Sequence, residues 1–317
     1  MVVAVFGLLK KNNMLYSYAK LSKYDFGFVR FLGVGLGNLL FPWARSVIAA
    51  DKYDLKLIEP TWLQVKIGPI LRMEKDLRFY SDLFYKSPDA IGGFPKIYCL
   101  LTKQKFIEPP LLTSKPEIAK NFKDGIFEFS GLGNYFVDIL KDHYFVRQKL
   151  LEISKDEHKA GLKYNFSNCV SLHIRRGDFK MEGWTTSADW FLWVMSELKR
   201  ELGPDLKFKI FSDGSDEELA SILKQENTER LSFGSALADL LALSQSRILV
   251  GSYNSTFSMW ASYLGRMPTI WPEKGLSQPL QYEHPNNEVE VSLGTALPRI
   301  FIDNCQKMVK MGHPLEK

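Results

Sequence analysis

Cysteine and histidine are scarce in this chain of 317 residues, which has three cysteines and five histidines. Cys99, Cys169 and Cys305 lie far apart and form no CxxC pair, so the sequence predicts neither a disulfide framework nor structural zinc. The histidines show no metal-ligand spacing. We therefore predict a protein of a reducing compartment, the cytoplasm.

A strong excess of one charge is also absent. The chain has 41 Lys and Arg and 36 Asp and Glu, which gives a net charge of +5. The excess is spread along the chain, which argues against a nucleic-acid partner and suits an anionic small molecule. The same excess would also suit an anionic membrane surface or no particular partner, so a peripheral position at the inner face of a membrane is the alternative to a cytoplasmic one. The uncharged stretch 248–265 has the length of a membrane span, but its Ser, Thr and Asn side chains would lack partners in lipid, so we predict that it is buried in protein.

Three common nucleotide-site motifs are missing. The sequence has no DxD pair to hold a divalent metal and no GxxxxGK[ST] phosphate loop. Gly33, Gly35 and Gly37 do not complete a GxGxxG fingerprint, since Asn38 stands where the last glycine belongs. We predict no cofactor and no metal, so cationic side chains and helix ends must stabilise any departing diphosphate.

Hydrophobic patterning predicts strands that alternate with helices, which is typical of a parallel α/β sheet. Residues 26–60 are predicted to form one βαβ unit. Its first strand covers 26–31, a glycine turn follows, and Asn38 caps a helix with Pro42 in its first turn. Its second strand is predicted at 55–58, and the charged stretch 145–165 is predicted to be a linker or a bridging helix.

Three strand–loop–helix units follow this stretch. Their strands are predicted at 169–174, 208–211 and 248–250, and the loops after them read RRGD, SDGSDEE and GSYNSTFS. Because ligands of open parallel sheets bind at the carboxyl ends of the strands, we expect these loops to carry the chemistry.

Strand alternation predicts different tasks for the two arginines that follow the first strand. His173 and Arg175 should project from one face, and Arg176 should project from the other and hold Asp178 or a neighbouring loop. An arginine fork matches a phosphate, so Arg175 is the candidate anion ligand. An Arg–Asp pair that fixes a turn is the alternative.

The other two loops carry further candidates. The Asp213 carboxylate could accept hydrogen bonds from the N1–H and 2-amino group of guanine, and an N-cap or Asx turn is its alternative. Asn254, Ser255 and Thr256 lie where a helix begins, and the free N–H groups there suit a phosphate. A simple capping function could hold at the same time.

Taken together, HIRRGD, FSD and NSTFSMWASYL, with the earlier GLGNLLFPWA, resemble the motifs of bacterial and animal α-1,2-fucosyltransferases. The resemblance implies an α/β fold of GT-B type, in which two Rossmann-like domains face a central cleft. Residues 1–155 would form the acceptor-side domain with the glycine loop, and 156–317 the donor domain. The implied reaction is an inverting, metal-independent transfer from GDP-fucose to a galactose-type glycan or lipid-linked oligosaccharide in cell-surface polysaccharide synthesis.

Carried over by position, the resemblance assigns Arg175 to the β-phosphate of the departing GDP. Asp178 and Glu182 are the candidates for a general base, with Glu59 as a third. The predicted donor-binding residues are Gly35, Gly37, Asn38, His173, Arg175, Arg176, Asp213, Asn254, Ser255, Thr256 and Phe257.

The sequence departs from the family pattern at several positions, so alternative functions stay open. Leu39 replaces the usual glutamine and Gly214 replaces a second acid, which affects the linkage and the acceptor more than the donor. A different linkage or a different GDP-sugar is one alternative. A catalytically silent protein that binds a nucleotide sugar or a glycan is another.

Overall fold

The computed structural model describes residues 14–65, 79–111, 117–118, 121–177, 183–276, 278–281 and 283–311. The chain divides into two compact units, Met1–Ile153 and Ser154–Lys317. Each unit contains a sheet whose strands all run parallel, with helices between them, so the predicted α/β class is confirmed.

The N-terminal unit is built around a four-stranded parallel sheet in the order β4-β1-β7-β6, and a small three-stranded sheet has the order β2-β3-β5. Its strands are β1 (Leu15–Lys20), β2 (Tyr24–Asp25), β3 (Arg30–Phe31), β4 (Lys56–Ile58), β5 (Gln64–Val65), β6 (Lys105–Ile107) and β7 (Gly125–Ser130). Its helices are α1 (Leu36–Tyr53), α2 (Gly93–Thr102) and α3 (His143–Ile153), with short 3-10 helices at Tyr135–Asp138 and Leu140–Asp142.

The predicted first strand at 26–31 is wrong. The first strand of the N-terminal sheet is β1, one of its two interior strands, and residues 24–31 contribute only the short antiparallel pair β2–β3. In β1, Tyr and Ser separate the apolar residues. Four successive residues are nevertheless buried, because the strand is paired on both sides and α1 packs against it. The sequence LYSYAK therefore shows no apolar run that would reveal a buried strand. The predicted second strand is confirmed as β4.

The start of α1 also differs from the prediction. Gly35 is the N-cap, so Asn38 lies inside the first turn and caps nothing. Pro42 falls in the helix interior, where its missing N–H leaves no donor for the carbonyl of Asn38 four residues earlier.

The C-terminal unit contains a six-stranded parallel sheet in the order β10-β9-β8-β11-β12-β13. Its strands are β8 (Cys169–Ile174), β9 (Lys207–Ser212), β10 (Thr228–Arg230), β11 (Ile248–Val250), β12 (Thr269–Pro272) and β13 (Glu288–Val291). Its helices are α4 (Ala188–Leu202), α5 (Asp216–Leu223), α6 (Ala236–Leu243), α7 (Thr256–Gly265) and α8 (Arg299–Met311), with 3-10 helices at Asp156–Lys163 and Pro285–Asn287.

Local signals account for these elements. Ser187, Ser215, Ser235 and Ser255 each cap the helix that follows, and Ser215 forms a capping box with Glu218. Each predicted strand of this unit is confirmed to within two residues. The uncharged stretch 248–265 forms β11, a polar loop and α7, and most of it is buried, as predicted.

The strand order of the C-terminal sheet locates a place for a ligand. Counted along the unit, the order is 3-2-1-4-5-6, the order of a Rossmann-type sheet. The direction of winding reverses between β8 and β11, which are paired in parallel. In such sheets ligands bind outside the carboxyl ends of the strands at this switch point, where the loops after β8 and β11 begin.

Candidate functional site

Both faces of β8 are buried, one in an apolar core and the other against polar partners. Val170, Leu172 and Ile174 belong to the main apolar core of the unit. Ser171 and His173 project from the other face, as alternation predicts, and each finds a polar partner on a neighbouring element. Such partners are needed because a buried polar group without a hydrogen bond costs about 1–3 kcal/mol.

Serines after β11 join the two strands at the switch point. The Ser252 hydroxyl donates to the carbonyl of His173 (2.7 Å) and accepts from the backbone N–H of Arg175 (2.8 Å). The Ser258 hydroxyl lies 2.6 Å from His173 Nδ1 and accepts from the N–H of Ser252 (3.3 Å). The loop after β8 is thus fixed to the N-terminal end of α7.

The Arg175 guanidinium pairs with Asp213, which follows β9. The Nη1–Oδ2 distance is 2.6 Å, and the two side chains are 21% and 28% exposed, so solvent reaches both. The other oxygen of Asp213 accepts the backbone N–H of Arg176 (2.7 Å). Asp213 therefore orients the arginine loop, and it is not the cap of α5, since Ser215 is.

Arg176 has a different task from Arg175, as predicted. Its guanidinium donates to the carbonyl of Thr186 at 2.6 Å and is buried with it. Burial lowers the pKa of Arg176, and the nearby Asp213 opposes that effect. Arg176 thus anchors the segment before α4 and leaves Arg175 as the more accessible cation.

His173 is uncharged at neutral pH. Burial, reinforced by the positive charge of Arg175, lowers its pKa to about 3. The ring of Phe257 lies against the imidazole, with centroids 4.9 Å apart and planes tilted by 31°. His173 therefore links β8 to α7 as a neutral group, and the cationic character at this edge comes from the arginines.

The remaining predicted residues of this unit are distributed as follows. Ser255 is the N-cap of α7 and accepts from the N–H of Ser258 at 3.4 Å, so the capping alternative holds for it. Asn254 is exposed in a left-handed backbone conformation, with φ of 47°. Thr256 is the first residue of α7. Asp178 and Glu182, the candidate bases, lie outside the described residues.

The glycine-loop candidates belong to the N-terminal unit. Gly33 has a φ of +132°, and a Cβ there would lie 2.6 Å from Arg30 Nη1, so only glycine fits. A Cβ at Gly35 would meet no atom of the described residues within 4 Å. Gly37 lies in α1 and not in a turn. The Asn38 side-chain oxygen is buried and has no hydrogen-bond partner in the part of the chain that the structure describes.

Glu59 follows β4 in the same unit. Burial raises its pKa, and the nearby Lys96 and Lys86 oppose that effect. The Lys96 ammonium donates to the Thr61 hydroxyl at 2.9 Å, and burial lowers the pKa of Lys96 to about 8.

Four contributors to the C-terminal site were missed from the sequence: Ser252, Ser258, Thr186 and Gly177. A Cβ on Gly177 would lie 2.5 Å from Asp213 Oδ2, so glycine leaves room for the carboxylate. The sequence did contain a signal that could have identified Ser252, because it comes two residues after a buried strand. Thr186 had none, since its partners are Arg176 and Tyr253, which lies 67 residues away in the sequence.

No group of three or more His, Cys, Asp or Glu side chains among the described residues is arranged to hold a metal ion. In the same part of the chain, no helix combines the length and the apolar character that crossing a membrane requires.

A family match covers the site just described. Residues 116–272 match the model of Glycosyl transferase family 11, just under half of the chain. The matched segment contains both arginines, Asp213 and the loop after β11. The segment that carries the arginine loop is therefore similar in sequence to that family. No curated protein sequence matches the chain.

Several solved structures are similar to this chain in fold. POFUT1 in complex with GDP is 14% identical with a TM-score of 0.47, over 83% of this chain and 99% of its own. NodZ α-1,6-fucosyltransferase of Bradyrhizobium, soaked with GDP-fucose, is 12% identical with a TM-score of 0.49, over 81% and 94%. A mutant of Arabidopsis thaliana FUT1 in complex with GDP is 13% identical with a TM-score of 0.48, over 87% and 75%. Similarity at this level says nothing about shared chemistry.

Proposed function

We propose that this protein transfers fucose from GDP-fucose to a hydroxyl group of a glycan, with inversion at the anomeric carbon. The observation that carries the proposal is the position of Arg175. It lies at the switch point of a Rossmann-type sheet, partly exposed, and its backbone is bonded to the loop that leads into α7. The family match over the same residues and the fucosyltransferase-like motifs support this choice.

The geometry suits a leaving diphosphate. The described side chains at this edge combine two arginines with one aspartate, which leaves a net positive charge. The first N–H groups of α7 add the positive end of a helix dipole, and no acidic residue stands in its first turn. Charge that develops on the β-phosphate in the transition state would be stabilised by groups already in place.

The proposed reaction is a single displacement. The acceptor oxygen forms a bond to C1 of fucose while the bond from C1 to the β-phosphate oxygen breaks, and GDP leaves with that electron pair. The acceptor proton passes to a base or to water. Asp178 and Glu182 are proposed for this step from their sequence position, directly after the arginines.

Asp213 has a structural task that fits a donor site. It holds the Arg175 guanidinium and the loop of Arg176 together, and its carboxylate keeps lone pairs for further donors. We propose that these lone pairs accept from guanine. The C-terminal unit would then be the donor domain, and the N-terminal unit with its glycine loop would serve the acceptor, as the sequence predicts.

The linkage and setting remain part of the proposal. An α-1,2 link to a galactose-type acceptor, in polysaccharide synthesis in the cytoplasm or at the inner face of the membrane, follows from the motif resemblance. Methylation analysis of the fucosylated product identifies the linkage. Cell fractionation identifies the location.

Release of the nucleoside diphosphate tests the donor: GDP from GDP-fucose or GDP-mannose and UDP from UDP-galactose, each measured with and without EDTA. We expect turnover with GDP-fucose that EDTA does not reduce. Turnover with another GDP-sugar alone would replace fucose by that sugar. Binding of GDP-fucose without transfer to any glycan would favour the silent binding protein, and absence of both binding and turnover would refute the proposal.

A further inference from the structure

The C-terminal unit has a second concave feature that the phosphate site does not use. It is an open groove of about 380 Å³ beside the carboxyl ends of β12 and β13 and the start of α4. We call it the β12–β13 groove. Its volume falls within the range of about 300–1,000 Å³ that is usual for small-molecule sites.

The walls of the β12–β13 groove offer apolar surface to solvent. Trp184 is 44% exposed and Leu293 is 58% exposed, and both line the groove together with Tyr253. Trp190 lies deeper, and its indole N–H donates to the carbonyl of Val291 at 3.0 Å. The polar atom of that indole is therefore satisfied, and the ring contributes only apolar surface.

The charge of the groove is opposite to that of the arginine site. Glu273 is the one charged side chain among the described residues that line the groove. It is exposed, and the hydroxyl of Ser292 donates to its carboxylate at 2.5 Å. A carboxylate without a neighbouring cation in the lining disfavours a phosphate or another anion. It suits a ligand with hydroxyl groups to donate.

Thr186 connects the groove to the site at the switch point. Its carbonyl accepts from the Arg176 guanidinium at 2.6 Å, and its hydroxyl accepts from the N–H of Tyr253 at 2.9 Å. Tyr253 stands next to Ser252, which is bonded to the backbone of Arg175. A ligand in the groove would therefore lie beside the place where the donor diphosphate is proposed.

We infer that the β12–β13 groove binds a neutral saccharide, and in the proposed reaction this saccharide is a part of the acceptor away from the reacting hydroxyl. The choice of a saccharide rests on the proposed function. Sugar rings have apolar C–H faces that pack on aromatic rings such as Trp184 and Tyr253, and their hydroxyls can donate to Glu273. A purely apolar ligand would leave that carboxylate unused.

Saturation-transfer NMR on the full chain tests the inference, with lactose as the first probe and cellobiose and maltose as further neutral disaccharides. We expect a saturation-transfer signal from at least one of these disaccharides. That signal should be about tenfold weaker with the Trp184→Ala variant. Phe94→Ala is the matched control, because Phe94 is 91% exposed on α2 of the other unit. It should leave the signal within about twofold of wild type. Equal signals in the two variants would overturn the inference.

The charge of the groove gives a second test that a folding defect would not imitate. 3′-Sialyllactose carries a carboxylate on the same lactose core, and we expect it to bind more weakly than lactose. Glu273→Gln should raise the ratio of sialyllactose to lactose binding by about fivefold. An unchanged ratio would refute the assigned role of Glu273.

GDP titrations separate the two proposals. Arg175→Ala should lose GDP binding and keep the disaccharide signal. If the wild-type protein binds GDP but none of the three neutral disaccharides, the groove inference fails and the proposed function stands. If it binds a disaccharide but neither GDP nor GDP-fucose, the proposed function fails instead. Binding of a hydrophobic dye in place of any disaccharide would also overturn the groove inference.

Discussion

The arginine loop of the C-terminal unit and the glycine loop of the N-terminal unit are stabilised in different ways. Around Arg175, the buried His173, Ser252 and Ser258 satisfy one another through hydrogen bonds. Beside Gly33, the Arg30 guanidinium donates to the carbonyl of Thr61 and to the side-chain oxygen of Gln64. Its buried Nη2 and the side-chain nitrogen of Gln64, however, have no partner among the described residues.

The backbone of the arginine loop is held by hydrogen bonds to Ser252, whereas Gly33 is confined by its close steric contact with Arg30. Removing a charge from the arginine loop should change its ligand chemistry, since its backbone is held by serines. Adding a methyl group to the glycine loop should change stability, because the loop is packed directly on a buried guanidinium.

Arg175→Ala should reduce fucose transfer by about a hundredfold or more, because a preorganised donor to the leaving group is worth about 3 kcal/mol. Arg175→Lys should recover only part of this loss, since an ammonium lacks the paired donors of a guanidinium. The rate of GDP release measures both. Arg200→Ala, on the surface of α4, is the control and should be close to wild type. A similar loss in both alanine variants would show that the anion site has been misplaced.

Gly33→Ala should destabilise the protein by about 2 kcal/mol, because its φ is unfavourable for alanine and the new Cβ would collide with Arg30. Gly35→Ala, two residues later, meets no neighbour and has a φ of −71°, so its cost should stay below about 1 kcal/mol. Urea unfolding measures the free energy of both variants. Equal costs would show that the loop is not held by steric fit.

Asp213→Asn should weaken GDP binding by about tenfold while the fold is retained. The amide oxygen can still accept the N–H of Arg176, but the ion pair that orients Arg175 is lost. Isothermal titration with GDP gives the affinity. Asp216→Asn removes a more exposed carboxylate, paired with Arg230, and serves as the control. A drop of the same size in the control would argue against orientation of Arg175 as the cause.

The stability of the wild-type protein should fall with acid in part through His173. Its pKa is about 3 in the folded chain and about 6.5 when unfolded, so the unfolded state binds the extra proton between these values. The contribution of His173 to the free energy of unfolding is fully present above about pH 6.5. Below that pH it declines by up to about 1.4 kcal/mol per pH unit. Thermal unfolding at pH 7 and pH 5 should therefore show a smaller acid loss for His173→Asn than for wild type. Parallel losses would contradict a neutral, buried His173.

The C-terminal unit was largely predictable, and the N-terminal unit was not. Strand β8 has clear alternation, and the serine caps mark the starts of α4 and α5, so short windows of sequence suffice there. Strand β1 escaped prediction because pairing on both sides, and not an apolar run, buries its tyrosines and serine. Its apolar neighbour 26–31 was mistaken for the strand.

The candidate site divides in the same way. That Arg175 and Arg176 would have different tasks followed from the period of a strand. An Arg–Asp pair was one of the two alternatives for Arg175, and the structure shows that pair with Asp213. The identity of that partner, the bond from Arg176 to Thr186 and the β12–β13 groove did not follow from the sequence. The sequence offered two alternatives for Asp213, a guanine ligand or an N-cap or Asx turn. The structure excludes the N-cap, because Ser215 caps α5, and shows that Asp213 pairs with Arg175.

In the C-terminal unit, local sequence is enough to specify the strands, the helix starts and the polar residue types at the strand ends, because capping and alternation act over a few residues. Which of these residues meet depends on how the whole unit folds. Ser252 and Ser258 lie 79 and 85 residues from His173 along the chain, and Asp213 lies 37 residues from Arg176. Such contacts depend on the strand order of the sheet, which is set by the burial of whole strands and helices and not by any local pattern.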